Sequence, residues 1–402
     1  MRISTSQIYN QSVNAMLTEQ NQLNQTELQL SSGKSILTPS DNPAGSAQIV
    51  NLNQSISTTN QYQTNAGAAN SRLSLEGSTL TSVTNLLQSL RSLAVEANNA
   101  TQSSSSRADI AQQVSQGLQQ LVALANTQDA NGEYIFAGYQ GKSQPFITDP
   151  SGNVIYNGGQ NSRYLQIGPT TQVAFGDPGS AVFEAVPNGN GTFATAASAS
   201  NTGSGVIDTG STTGTFVPDT YTIAFSQATS TSPITYTVTG AASGVVASGT
   251  YTSGNNISFN GAQVSISGTP ANGDTFTVAP SKDQSVFATL QSLVNSLNSN
   301  AATPSDQAQI NTGITRSISE IDQALNNINQ TSAKVGARLN TVTDQQNTNQ
   351  SYSNGLQQTL SGVQDLNYAS AISQLSQEQL ALQAAQEAFA KVQGMSLFNY
   401  LR

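Results

Sequence analysis

The segment YASAISQLSQEQLALQAAQEAFAKVQGMSLFNYLR, residues 368–402, decides how the rest of the chain is read. Tyr368, Leu375, Leu382 and Phe389 recur every seven residues, and Ala385 and Val392 each follow a member of that row by three. Ile372 and Leu380 widen the stripe, while Gln, Ser and Glu fill the other faces. The spacing predicts an amphipathic helix with a coiled-coil-like seam. One such helix cannot bury its stripe alone and needs a partner. A matching stripe stands at the other end of the sequence: Met16, Leu23, Leu30 and Leu37 are also seven apart, and Val13 lies three before that row. The two ends together predict one module, with everything between them inserted.

Moving inward, residues 1 to about 37 read as one helix that Pro39 stops. Pro39-Ser40-Asp41-Asn42-Pro43 is a hinge, with Asp41 or Asn42 as N-cap and Pro43 at the first helical position. A second helix, from about 44 to 99, keeps Leu52, Ala66, Leu73, Leu80, Leu87 and Ala94 on multiples of seven. Its length, roughly 80 Å, suits a rod. Thr101–Ser106 breaks it; Ser106 and Asp109 suggest a capping box for a return helix through Ile110, Val114, Leu118, Leu121 and Ala125. Glu133–Gly138 reads as a strand.

From 141 to 280 the character changes: nine of the 12 prolines and 20 of the 32 glycines fall there. Alternating apolar runs (Tyr221, Ile223, Phe225; Ile234, Tyr236, Val238; Ile257, Phe259; Val264, Ile266; Phe276, Val278) predict short antiparallel strands. Ala194–Thr215, rich in Ala, Ser, Thr and Gly, reads as a flexible loop. Helices resume near Asp283. Thr303-Pro304-Ser305-Asp306 starts a long one, in which Ile314, Ile318, Ile321, Leu325, Ile328, Val335, Leu339 and Val342 keep a 4-3 spacing interrupted at Ser332. Gly355 and Gly362 are expected to loosen the passage into the last helix. The expected fold is α+β: a discontinuous helical rod from paired N- and C-terminal segments with an inserted antiparallel β domain. Its expected parts are 1–43 with 357–402, 44–140 with 281–356, and 141–280.

The chain has 402 residues and a formal net charge of −9, and only 9% of its residues are charged. An acidic chain without basic clusters argues against nucleic acid and anionic membrane as partners. There is no Cys, His or Trp, hence no disulfide framework and no thiolate or imidazole metal site. No apolar run reaches the ~18 residues of a membrane span. The start of the sequence lacks the apolar core of a cleaved signal, so the expected location is cytoplasmic, or reached by a route without one.

A search for catalytic chemistry finds none. Gly-Lys-Ser occurs at 33–35 and 141–143, but Leu28 and Phe136 stand where a phosphate loop needs glycine. Serine nucleophiles would lack a histidine base. Asp219 and Asp274 adjoin strands and read as turn formers. Neither enzyme activity nor a cofactor is expected. The seams could belong to an ordinary intramolecular bundle; the length of the helices, the small terminal segments and the nearly uncharged surface favour assembly.

The hinge Gly33…Pro39-Ser40-Asp41-Asn42-Pro43-Ala44-Gly45 and the stretch Ser396-Leu397-Phe398-Asn399-Tyr400-Leu401-Arg402 resemble the two terminal motifs of the bacterial flagellin family. Met1–Thr5, Asn131–Tyr139 and Ile257–Val278 are similar to its hook-associated branch. The resemblance implies a structural, extracellular protein of the bacterial flagellum, exported unfolded through the flagellar type III apparatus. It implies a ring of copies joining hook to filament. The implied partners are the chain itself, a first hook-associated protein, flagellin, and an export chaperone on the C-terminal helix. On this reading the assembly interface comprises Val13, Met16, Leu23, Leu30, Leu37, Tyr368, Ile372, Leu375, Leu382, Phe389, Val392, Leu397, Phe398 and Leu401. Pro39, Asp41, Asn42 and Pro43 form the hinge. The competing readings are a filament subunit and a stalked adhesin whose Tyr221, Tyr236 and Tyr251 stack on sugars.

Overall fold

A computed structural model describes residues 5–99 and 102–394. The chain divides into two compact units, Met1–Thr64 with Gln345–Arg402, and Asn65–Asp344. Two helices, α2 (Pro43–Ala97) and α5 (Pro304–Gln364), contribute residues to both.

In the first unit, α1 (Thr5–Ser32) lies antiparallel to α6 (Tyr368–Gly394). Tyr9 meets Phe389 at one end, with ring centroids 5.4 Å apart, and Lys34 bridges Asp365 at the other. The first helix ends five residues earlier than its hydrophobic row suggests. Gly33, at φ 70°, takes the left-handed turn that closes a helix, and its amide donates to Gln29 O at 2.9 Å. A Cβ there would stand 2.9 Å from the Tyr368 hydroxyl, so both conformation and space favour glycine. Leu37 consequently lies in the loop, half-buried, and not on the seam of α1. Pro39 does not stop α1, since the helix has ended before it.

The link between α1 and α2 is organised by one carboxylate and one side-chain amide. Asp41 Oδ2 accepts from the amides of Leu37 and Thr38, at 3.0 and 2.8 Å, and these bonds, Thr38 first, hold the carboxyl below its usual range. Asn42 caps α2, its Oδ1 accepting from Gly45 N at 2.9 Å, with Pro43 at the first helical position. Neither Gly355 nor Gly362 breaks α5, which is helical through both; the passage into α6 is the short link after Gln364. Helical hydrogen bonding needs no side chain, so an isolated glycine weakens a helix without ending it.

The second unit contains two hydrophobic cores. The first is helical. Leu73, Leu80, Leu87 and Ala94 of α2 and Ile314, Ile321, Ile328, Val335 and Val342 of α5 are buried together with α3 (Ser104–Ala125) and α4 (Val286–Asn298). At the interruption near Ser332 the neighbouring Thr331 is buried, its hydroxyl donating back to Asn327 O at 3.0 Å. The cap of α3 is Ser103, which accepts from Ser106 N at 3.1 Å; Ser106 is already helical, so the expected Ser106–Asp109 box does not form. Thr303 and Asp306 do form one at the start of α5: Thr303 N donates to Asp306 Oδ2 at 2.8 Å, and Asp306 N to Thr303 Oγ1 at 3.2 Å.

Residues 133–138 are not a strand. Only Tyr134 makes an isolated bridge, to Gln128. Ile135, Phe136 and Ala137 are all buried, which an alternating strand on a single core face cannot achieve, and Gly138 turns at φ 58°. Two hairpins follow, β1 (Phe146–Thr148) with β2 (Val154–Tyr156), and β3 (Tyr164–Gln166) with β4 (Gln172–Ala174). A short π-turn, Ser180–Glu184, comes next. These segments pack on the helices. Phe146 lies 5.4 Å from Phe183 and 5.0 Å from Phe287, and Phe136 lies 5.2 Å from Phe183, centroid to centroid. The expected boundary at 141 is therefore displaced: residues 146–186 share the helical core.

The second core begins beyond β5 (Val186–Pro187), which pairs with β15 (Asp283–Gln284). One sheet has five strands in the order β11 (Gly244–Thr250), β10 (Thr235–Gly240), β9 (Tyr221–Ser226), β14 (Thr275–Pro280), β6 (Phe193–Ala197). The other has β12 (Asn256–Phe259), β13 (Ala262–Ser267) and β7 (Val206–Ile207), with β8 (Ser211–Thr212) also on β13. All pairs are antiparallel, and the expected alternating residues are the buried ones, except Ile234 and Tyr236, which are half-buried. The stretch read as a flexible loop holds three of these strands. Phe193, Thr195 and Ile207 point into the core, so small neighbouring residues do not prevent order.

Candidate assembly interface

The pairing of α1 and α6 follows a finer pattern than the seven-residue rows. On α6 the covered positions are Ala371, Leu375, Glu378, Leu382, Ala385 and Phe389; on α1 they include Met16, Glu19, Leu23, Thr26 and Leu30, with Val13 beyond. Both run at alternating three- and four-residue steps, the geometry that keeps a seam facing its partner. The seam is thin. Val13, Met16, Leu23, Leu30, Leu375, Leu382 and Phe389 are only half-buried. The fully buried members are small or polar: Thr26, Ala371 and Glu378. Tyr368, Ile372 and Val392, expected on the seam, are exposed by 53%, 52% and 47% and belong to the outer surface. Ile8, Leu17, Leu28 and Leu380 are exposed with them. Leu397, Phe398 and Leu401 lie outside the described residues.

Sequence reasoning placed Ala385 on the stripe but missed Ala371 and Glu378, which continue its row at seven-residue spacing, because alanine and glutamate carry little hydrophobic signal. It also missed a buried ionic cluster in the second unit. Glu76 on α2 has no exposed surface; its Oε1 accepts from Asp177 N at 3.1 Å, and its Oε2 has no hydrogen-bond partner. Arg338 on α5 forks onto both Asp177 oxygens at 2.9 Å. Arg72, one turn before Glu76, donates to Asp129 Oδ2 at 2.5 Å and to Tyr134 O at 2.9 Å. Glu133 bonds Arg163, whose guanidinium lies 4.9 Å from the centre of the Phe175 ring. Burial first, and the nearby Asp177 charge second, push the Glu76 carboxyl up to about 8. This cluster ties α2, α5 and the 129–177 connections together. The cavity beside Arg72, Arg163 and Phe175 holds about 10 Å³, about the space of one water.

The remaining candidates are structural. Asp219 accepts from Thr220, Ala242 and Ser243, and Asp274 from Thr202, Gly203 and Ala271, both as turn formers. Tyr221 is fully buried, and Tyr251 donates to Ile266 O and Gly268 O. Tyr221 thus has no ring face open to a sugar, and Tyr251 packs its ring against Phe225, with centroids 5.1 Å apart. Among the described residues no cluster of three or more acidic side chains could hold a metal ion, and no helix is long and apolar enough to cross a membrane.

Comparison with known proteins matches the two ends of the chain. Residues 3–141 match the bacterial flagellin N-terminal helical region, and residues 318–401 match the bacterial flagellin C-terminal helical region. Flagellar hook-associated protein 3 of Salmonella typhimurium is 34% identical over 186 residues, 46% of this chain and 58% of that protein. The chain thus aligns with under two thirds of the length of this curated relative. Solved structures extend the likeness. The crystal structure of flagellar hook-associated protein 3 from Legionella pneumophila is 33% identical with a TM-score of 0.75, covering 78% of this chain and 98% of that one. A structure titled as the flagellar junction protein FlgL of the same organism is 33% identical with a TM-score of 0.71, covering 79% and 100%. With its flagellin-type terminal regions and a fold shared along nearly the whole of those solved structures, this chain belongs to the flagellar hook-associated protein 3 family.

Proposed function

We propose that this chain is a structural subunit of the bacterial flagellum, forming the junction between hook and filament. Copies close into a ring that binds a first hook-associated protein on one side and flagellin on the other. The protein is extracellular and is held before export by a chaperone on its C-terminal helix. It has no catalytic role. The observation that carries this reading is the α1–α6 pair itself: a thin seam with an uncovered apolar exterior, in the segments that match the flagellin terminal regions. An exterior of this kind is completed by neighbouring subunits. Val13, Met16, Leu23, Leu30, Leu375, Leu382 and Phe389 hold the pair, and Tyr368, Ile372 and Val392 face the neighbours. Pro39, Asp41, Asn42 and Pro43 form the hinge. We assign the β region beyond β5 to surface decoration.

The test is a deletion strain examined for hooks, filaments and secreted flagellin. Intact hooks without filaments, with flagellin released into the medium, support a junction subunit. Intact hooks with no flagellin in the medium would identify the chain as the filament subunit instead. Normal filaments would refute both.

A further inference from the structure

Between α1 and α6, Gln22, Gln25, Thr26, Gln29, Gln374 and Glu378 line a groove of about 270 Å³. It interrupts the seam between the layers of Leu23 and Leu30 on one helix and Leu375 and Leu382 on the other. Glu378 is 8% exposed. Its Oε1 accepts from Gln374 Nε2 at 2.8 Å, and its Oε2 has no hydrogen-bond partner. No lysine or arginine among the described residues forms an ion pair with it. A carboxylate taken out of water without a countercharge is destabilising unless a donor arrives to match it.

We propose that this groove is a socket for a lysine or arginine side chain of a second copy of this chain. The inference rests on the junction-subunit reading. The chemistry of the lining selects a cationic donor. An ammonium or guanidinium group carries several N–H donors and no acceptor, which suits one carboxylate flanked by glutamine oxygens. A calcium ion needs six to eight oxygen ligands at one point, and the lining provides a single carboxylate. The second copy is selected by the surroundings. Leu28 on α1 and Ile372 and Leu380 on α6, each within two residues of a groove residue in sequence, are exposed, and a second helix pair that covers them brings its charged side chains to the groove. The terminal segments of a neighbouring copy carry Arg2, Lys34, Lys391 and Arg402 as donors. Docking then supplies the charge that the isolated pair lacks, and assembly is coupled to satisfaction of Glu378.

The test uses the full-length chain in motile cells, with a photoreactive amino acid at Gln22 on the groove. A crosslinked product of twice the chain mass is expected, whose second peptide contains a lysine or arginine. In the same background Glu378→Gln, which keeps the shape and removes the charge, is expected to lower that yield at least about tenfold. Glu378→Asp is expected to retain part of it. Circular dichroism of each purified variant checks that the helices persist. An undiminished yield in a folded Glu378→Gln protein overturns the socket while leaving the junction reading in place. A crosslink only to a different protein overturns the second copy as occupant. If the wild-type chain is absent from hook tips by immunogold labelling, the junction reading fails and the socket falls with it.

Discussion

Glu76, Asp177 and Arg338 set the residue-scale behaviour of the second unit. Native Glu76 holds its proton up to about 8, whereas an exposed glutamate releases it near 4.5. The folded state therefore binds more protons than the unfolded state between those values. Its contribution to stability is present in full below the unfolded value and is lost as pH rises toward 8. Thermal melts of the wild-type protein are expected to move to lower temperature across that window. Glu76→Gln, which fills the same space without a charge, should flatten the dependence and melt higher than wild type above pH ~8. A steeper decline in the variant would contradict this origin. Removing Arg338 leaves Asp177 unpaired beside Glu76. With the arginine side chain 23% exposed, the loss is expected to be about 2 kcal/mol in denaturant unfolding at neutral pH. Asn42→Ala removes a helix cap that is legible in the sequence, and should destabilise the first unit by about 1 kcal/mol.

Helices α1 and α6 are the elements whose stability depends most on company. Among the described residues their shared seam buries no large aliphatic side chain completely, whereas α2 and α5 in the second unit bury leucine and isoleucine at 0% exposure. A pair held so lightly opens locally long before the whole molecule unfolds. Limited proteolysis of the purified monomer is expected to cut residues before 40 and after 365 first, leaving the Asn65–Asp344 unit. Equal resistance of both regions would overturn that expectation. Leu382→Asp and Phe389→Asp place a charge in the seam. Each should block incorporation at the hook tip while the melting of the second unit is unchanged. Swimming at the wild-type rate with either substitution would show that the seam does not matter for assembly.

Across the whole molecule, the division between cores decides what can be removed. Asn188 and Lys282 clasp the root of the β region: Asn188 N donates to Lys282 O and Lys282 N to Asn188 Oδ1, both at 2.9 Å. The ends are adjacent, so a short Gly/Ser linker closes the gap at small entropic cost. Replacing residues 189–281 should leave the helical core folded and junction assembly intact. Deleting from 141 onward, the boundary suggested by composition, would remove Phe146 and Phe183 from the helical core and is expected to unfold it. Filaments that form in the shorter deletion but shear off in viscous medium would mean that the β region stiffens the ring.

The sequence by itself determined the long helices, their pairing by ends and the longer strands. Hydrophobic spacing is a local property, so the rows at Leu73–Ala94 and Ile314–Val342, the start signals at Asn42-Pro43 and Thr303–Asp306, and the alternation in β9, β13 and β14 could all be read without contacts. Tertiary structure alone decided where the cores divide, because composition marks turns and not the surface a hairpin packs against. It alone showed which apolar residues of α1 and α6 face outward. It alone placed Glu76 beside Asp177, 101 residues away, and Glu378 in a groove of amides. A charged residue carries no hydrophobic signal of its burial. Its partners come from distant segments, and only packing brings them together.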